Sequence, residues 1–152
     1  MRLWLDMDGV LADLRAGYRR ATGLDASTEL DSVDWELVRG VPGFFRRLPP
    51  MPDALDLWSA VAHLDPVILS GVPRSVPEAP RNKREWVDRV LGPRVPAVFC
   101  PSSEKWVHCL PGDVLVDDWE KYRRRWERAG GTWITHRNAA QTIAALKSLG
   151  IL

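Results

Sequence analysis

Asp6-Met7-Asp8 sets two carboxylates two residues apart, directly after the apolar run Leu3-Trp4-Leu5. If that run is a buried strand and Met7 turns back toward the core, both acids enter one crevice at the strand's carboxyl end. Two carboxylates that close repel, and a divalent cation is the usual relief. A second acidic pair, Asp117-Asp118, ends another apolar run, Val114-Leu115-Val116, and folding can bring it to the same cation. Ligation by a few carboxylate oxygens suits Mg2+, which keeps several waters and shares an oxygen of a bound phosphate. One carboxylate is then available to attack phosphorus, with the cation and a lysine offsetting charge on the transferring group.

Two further residue types fit that chemistry. Ser70-Gly71 follows Val67-Ile68-Leu69 and offers a hydroxyl and a flexible backbone N–H to phosphate oxygens. The chain has only four lysines, Lys83, Lys105, Lys121 and Lys147, its other basic residues being arginine. Two of the four stand near run ends, Lys105 after the third run and Lys83 opening the helix after a proline-rich loop, where an ammonium can act as a point-charge phosphate binder. Each feature alone is commonplace: Asp-x-Asp as a turn or cap, Ser-Gly as a turn, lysine as surface charge. Their recurrence at successive run ends is what points to a site.

The elements that must position these residues alternate. Strands are expected at Leu3-Trp4-Leu5, Val67-Ile68-Leu69, Ala97-Val98-Phe99, Val114-Leu115-Val116 and Thr132-Trp133-Ile134. Helical patterns lie between and after them, from Asp53 to Leu64, Asn82 to Leu91, Trp119 to Ala129 and Asn138 to Leu149. Gly92 and Gly130-Gly131 mark helix ends and Asn138 an N-cap. This order predicts an α/β fold: a three-layer, Rossmann-like parallel sheet of about five strands with helices on both faces and ligands at the strands' carboxyl ends. The segment from about 12 to 50 breaks the alternation and reads as short helices and turns, a small helical cap inserted after the first strand. The whole of 1–152 is otherwise expected to be a single domain.

The same residues, in order, resemble the haloacid dehalogenase-like (HAD) hydrolases in the form used by the 5′(3′)-deoxyribonucleotidases. Asp6-Met7-Asp8-Gly9-Val10-Leu11-Ala12-Asp13 is similar to the family's first motif. Pro42-Gly43-Phe44-Phe45 with Pro50-Met51-Pro52, Leu69-Ser70-Gly71-Val72-Pro73, and Lys83-Arg84-Glu85-Trp86-Val87 running to Gly92-Pro93 continue the likeness. Glu104-Lys105 and Leu115-Val116-Asp117-Asp118 complete it. The resemblance implies a phosphatase in which Asp6 is the nucleophile, forming an aspartyl-phosphate, and Asp8 is general acid and then base. It further implies phosphate contacts from Ser70, Gly71, Lys105 and Lys83, and Mg2+ held by Asp6, the Asp8 carbonyl and one of Asp117 and Asp118. The chain departs from the family in a shorter cap and in Ser70-Gly71, where a Thr-Ser pair is familiar.

The substrate so implied is a nucleoside monophosphate, with a 5′-deoxynucleotide first in view; a sugar phosphate, a nucleic-acid 3′-phosphate, or a non-catalytic phosphate- or metal-binding role are the alternatives. Trp35, Phe44 and Phe45 in the expected cap are candidates to stack on a base. Twenty-one basic and twenty acidic residues give a formal charge of +1, so no global field calls for nucleic acid or a membrane surface. Arg123-Arg124-Arg125 and Arg128 read as a solvated helix face. No apolar run has membrane-spanning length and no signal-peptide pattern opens the chain, so a cytoplasmic protein is expected. A homodimer is compatible with the reading. Cys100 and Cys109 have no ligand or framework spacing, and His63, His108 and His136 are scattered.

Overall fold

The computed structural model describes residues 1–26 and 32–152. Five parallel strands form one sheet in the order β3-β2-β1-β4-β5, with β1 at Leu3–Leu5, β2 at Val67–Gly71, β3 at Ala97–Cys100, β4 at Val114–Asp117 and β5 at Thr132–Thr135. Trp4 lies level with Val67 on one side and Leu115 on the other, so β1 is central. From β1 the chain winds outward through β2 and β3, then crosses back to β4 and winds the other way. The order reverses between β1 and β4, and a crevice opens at the carboxyl ends of those two strands.

The side-chain period of two divides the sheet residues between two cores. Leu3, Leu5, Ile68, Val114, Val116 and Ile134 face one layer, covered by α3 (Ala54–Val61), α4 (Ala79–Val90) and α6 (Ala139–Ser148). Trp4, Val67, Leu69, Leu115 and Trp133 face the other, which is covered by Trp126 of α5 (Arg123–Arg128). The change of winding direction accounts for this, because right-handed crossovers place the helices on opposite faces on the two sides of the reversal. Asn138 caps α6 by accepting from the Gln141 N–H at 2.9 Å.

Three helix boundaries differ from the sequence expectation, the first at the end of α3, where a 3-10 turn, Ala62–Leu64, replaces the last α-helical turn. α4 begins at Ala79 rather than Asn82, because Pro80 falls in the first turn, where its missing N–H costs nothing. Lys83 therefore sits in the second turn instead of opening the helix. Trp119 is extended, and a short 3-10 turn, Glu120–Tyr122, precedes α5.

Between β1 and α3 lie α1 (Leu14–Thr22), α2 (Trp35–Arg39) and a 3-10 turn, Phe45–Arg47. Asp13 and Asp34 cap the two helices through side-chain oxygens. The part of the expected cap at residues 27–31 lies outside the described residues. Val38, Phe44, Phe45 and Leu48 join the same core as the sheet's first face. The Trp86 indole N–H donates to the Leu48 carbonyl at 2.8 Å, so the inserted segment is fastened to α4. No described helix is long and apolar enough to cross a membrane.

Candidate active site

Met7 is fully buried in the core, and this turns Asp6 and Asp8 together into the crevice beyond β1. Met7 accepts backbone N–H groups from Leu11 and Ala12, both at 2.8 Å, so the chain curls tightly immediately after the two acids. Gly9 has φ +78°, and a Cβ there would lie 2.1 Å from Asp118 Oδ2. Only glycine lets the β1 loop and the end of β4 approach so closely.

Two buried ammonium groups organise the acids. Lys83 reaches back from α4 and donates to Asp8 Oδ2 at 2.5 Å, Ser70 Oγ at 2.9 Å and the Gly71 carbonyl at 2.6 Å. Its Nζ also lies 4.6 Å from the centre of the Phe45 ring. Lys105, in the 3-10 helix Ser102–His108, donates to Asp117 Oδ2 at 2.6 Å. It also lies 2.9 Å from Asp6 Oδ1, a charge contact whose angles fall outside hydrogen-bond geometry. Lys105 lines the open cleft, whereas Lys83 is 0% exposed and lies beneath it.

Burial and crowding shift the titration of these groups. Burial raises the Asp8 carboxyl pKa against the opposing pull of Lys83, and the Asp6 charge raises it further. Asp118 is pushed up to about 8 by burial and by the charges of Asp6 and Asp117. Asp117 rises to about 6 through burial, although Lys105 pulls the other way. Burial would lower the Lys105 ammonium, but Asp117 and Asp6 hold it above its usual value. The site is therefore overloaded with negative charge and accepts a cation readily.

Asp6, Asp117 and Asp118 each offer an oxygen within 4.8 Å of the others. Asp6 Oδ1 and Asp118 Oδ1 are buried without a hydrogen-bond partner among the described residues. Asp117 is different, because Lys105 takes Oδ2 and the Trp119 N–H takes Oδ1 at 2.9 Å. Oxygen donors alone, two of them free of hydrogen bonds, fit a hard divalent cation.

All of Asp6, Asp8, Ser70, Gly71, Lys83, Lys105, Asp117 and Asp118 thus gather at the carboxyl ends of β1, β2 and β4. A Cβ on Gly71 would meet Ser102 Oγ at 2.0 Å, so Ser102 occupies the room that a larger second residue would need. Of the three aromatic candidates, Trp35 lines the cleft. Phe44 and Phe45 are 4% and 1% exposed and pack inside the inserted segment instead. Trp119 and Tyr122 line the cleft and were not singled out from the sequence as site residues; their position directly after Asp117-Asp118 was the available signal.

The sheet order, the carboxylates at its reversal and the inserted segment after β1 define the haloacid dehalogenase-like fold. Solved structures agree. A HAD family hydrolase from Deinococcus radiodurans, solved with bound phosphate and sodium, matches at a TM-score of 0.57 and 13% identity, covering 99% of this chain and 96% of that one. An L-2-haloacid dehalogenase from Xanthobacter autotrophicus matches at 0.54 and 12% identity, over 88% of this chain and 76% of that one.

In sequence, the chain resembles the 5′(3′)-deoxyribonucleotidases. It is 28% identical over 148 residues to the cytosolic type of Homo sapiens, covering 81% of this chain and 73% of the human protein. A protein of Vibrio phage KVP40 named "Putative 5'(3')-deoxyribonucleotidase" is 30% identical over 118 residues, 76% of this chain. The chain spans only 65% of the length of that phage relative. No protein-family model matches the chain.

Proposed function

We propose that the protein is a Mg2+-dependent phosphomonoesterase acting on nucleoside monophosphates, 5′-deoxynucleotides foremost, through an aspartyl-phosphate on Asp6. The observation that carries this reading is the pairing of Asp6, which has one buried oxygen without a hydrogen bond, with Asp8, whose carboxyl pKa is raised. A raised carboxyl pKa suits Asp8 to exchange a proton with the leaving oxygen and then with water, the part of a general acid and base. The names of the sequence relatives support the choice of substrate.

In the first step a carboxylate oxygen of Asp6 bonds to phosphorus while the bond from phosphorus to the ester oxygen breaks. Asp8 gives its proton to that oxygen, and the alcohol leaves. Asp8, now a carboxylate, then takes a proton from water as the water oxygen attacks phosphorus, which frees phosphate and restores Asp6. In this reading Ser70, the Gly71 backbone and Lys105 would hold phosphate oxygens, with Lys83 fixing Asp8 and Ser70 from below. Asp6 and Asp118, each with a buried oxygen that takes no hydrogen bond, would hold Mg2+ with the Asp8 carbonyl, while Asp117 orients Lys105. The ion, when bound, offsets the charge on the transferring phosphoryl group. The inserted segment at about 12–50 acts as the cap.

Asp6→Asn is expected to lower dTMP or dUMP hydrolysis in Mg2+ by at least about a thousandfold, as loss of a covalent nucleophile does. Phosphate release by the purified variant at the wild-type rate would refute the role of Asp6.

A further inference from the structure

The cleft above the carboxylates has an asymmetric wall. Asp6, Lys105 and Asp117 form its floor, and Asp6, Asp8 and Asp117 are the acidic residues among its described lining. Above them, the described lining contains no Asp, Glu, Asn or Gln, the side chains that commonly hold sugar hydroxyls. Flat and apolar surface predominates there, with Trp35, Pro73, Pro101, Trp106, Trp119 and Tyr122, and the described polar side chains beside it are Arg74, Ser102 and Ser103.

We propose that Trp119 and Tyr122, on the sheet side of the cleft, form the surface that reads the leaving group and select one bearing a planar ring, such as a nucleobase. The proposal rests on the phosphatase reading, and it places ring recognition on the β4–α5 connection, with Trp35 the inserted segment's contribution. Trp119 and Tyr122 pack edge to face with centroids 5.5 Å apart, which fixes both rings before anything binds. The Lys121 ammonium lies 5.0 Å from the Trp119 ring and 5.8 Å from that of Tyr122, a further constraint on the pair. The Trp119 backbone N–H donates to Asp117 Oδ1, so this wall is tied to the carboxylate that orients Lys105. Trp35 is itself steadied by stacking on Phe45 at 6.3 Å and 27°.

The test compares turnover of dTMP and of acetyl phosphate, which has no ring, by wild type, Trp119→Ala and Trp119→Phe. A parallel titration measures dTMP binding in the Asp6→Asn background with and without Trp119→Ala. Loss of one base–aromatic stack is expected to lower kcat/KM for dTMP relative to acetyl phosphate by about 5- to 100-fold, chiefly through KM, with Trp119→Phe recovering much of it. An unchanged ratio between the two substrates overturns the proposal, as does equal loss on both. If neither substrate is hydrolysed by wild type, yet dTMP binds Asp6→Asn and binding weakens with Trp119→Ala, the phosphatase reading fails and ring recognition stands. If dTMP binding is indifferent to Trp119, the proposal fails whatever the turnover.

Discussion

At the scale of single residues, the site is held by two ammonium groups that have left water. Lys83 is 0% exposed, and its three acceptors, Asp8, Ser70 and the Gly71 carbonyl, use all three of its N–H bonds. Removing one member of such a pair leaves the other charge buried and unmatched, which costs about 3–5 kcal/mol, whereas removing both together costs much less. Lys83→Met is therefore expected to lose that much stability in urea titration, and Asp8→Asn combined with Lys83→Met to recover a large part of it. Equal stabilities for the single and double variants would show that the pair is not coupled. The scarcity of lysine in the sequence pointed to Lys83 and Lys105 together. Their division of labour was not legible, because it depends on which helix passes beneath the crevice and which borders it.

At the scale of elements, the loop after β1 and the end of β4 are fitted to each other at Gly9. Alanine there would combine a positive φ with a Cβ 2.1 Å from Asp118 Oδ2, so the carboxylate must move or the loop must open. Gly9→Ala is expected to fold with lower stability and to show a smaller Mg2+-induced rise in melting temperature than that expected of wild type, measured by thermal scans with and without the ion. A full Mg2+ response in the variant would show that Asp118 does not hold the ion. At the opposite end of the same strands, Asp113 accepts from the Arg2 N–H at 2.7 Å, the Trp4 indole at 3.1 Å and the Leu110 N–H at 3.1 Å. That buried clamp between β1 and β4 is not legible in the sequence, because its partners Arg2 and Trp4 lie more than a hundred residues from Asp113.

At the scale of the whole molecule, stability and function oppose each other. Asp118, raised to about 8, is more protonated in the folded chain than in the unfolded one, so folding is favoured at low pH and that advantage is lost as pH rises through 8. His136 acts in the other direction, because burial lowers its pKa and its penalty appears only as pH falls below its ordinary 6.5. Between about pH 6.5 and 8.5 the metal-free protein is therefore expected to melt at progressively lower temperature. Asp118→Asn should flatten that slope, raise the melting temperature at pH 8 and abolish the response to Mg2+. A slope that persists in Asp118→Asn would assign it to other groups. Destabilising charge gathered at a candidate ion site is the trade expected of an active site.

The sequence by itself determined the strands, their order of chemistry and the acids at their ends, because buried parallel strands are short apolar runs whose carboxyl termini break into polar turns. It also contained the helix caps at Asn138 and the alternation that makes the sheet parallel. Tertiary structure alone decided that Asp117 is occupied by Lys105 and Trp119 while Asp118 is left open, since two adjacent aspartates look alike until their neighbours are known. It likewise decided that Phe44 and Phe45 are packed inside while Trp119 and Tyr122 line the cleft. Whether an aromatic ring serves a core or a pocket depends on what lies opposite it, and that partner comes from elsewhere in the chain.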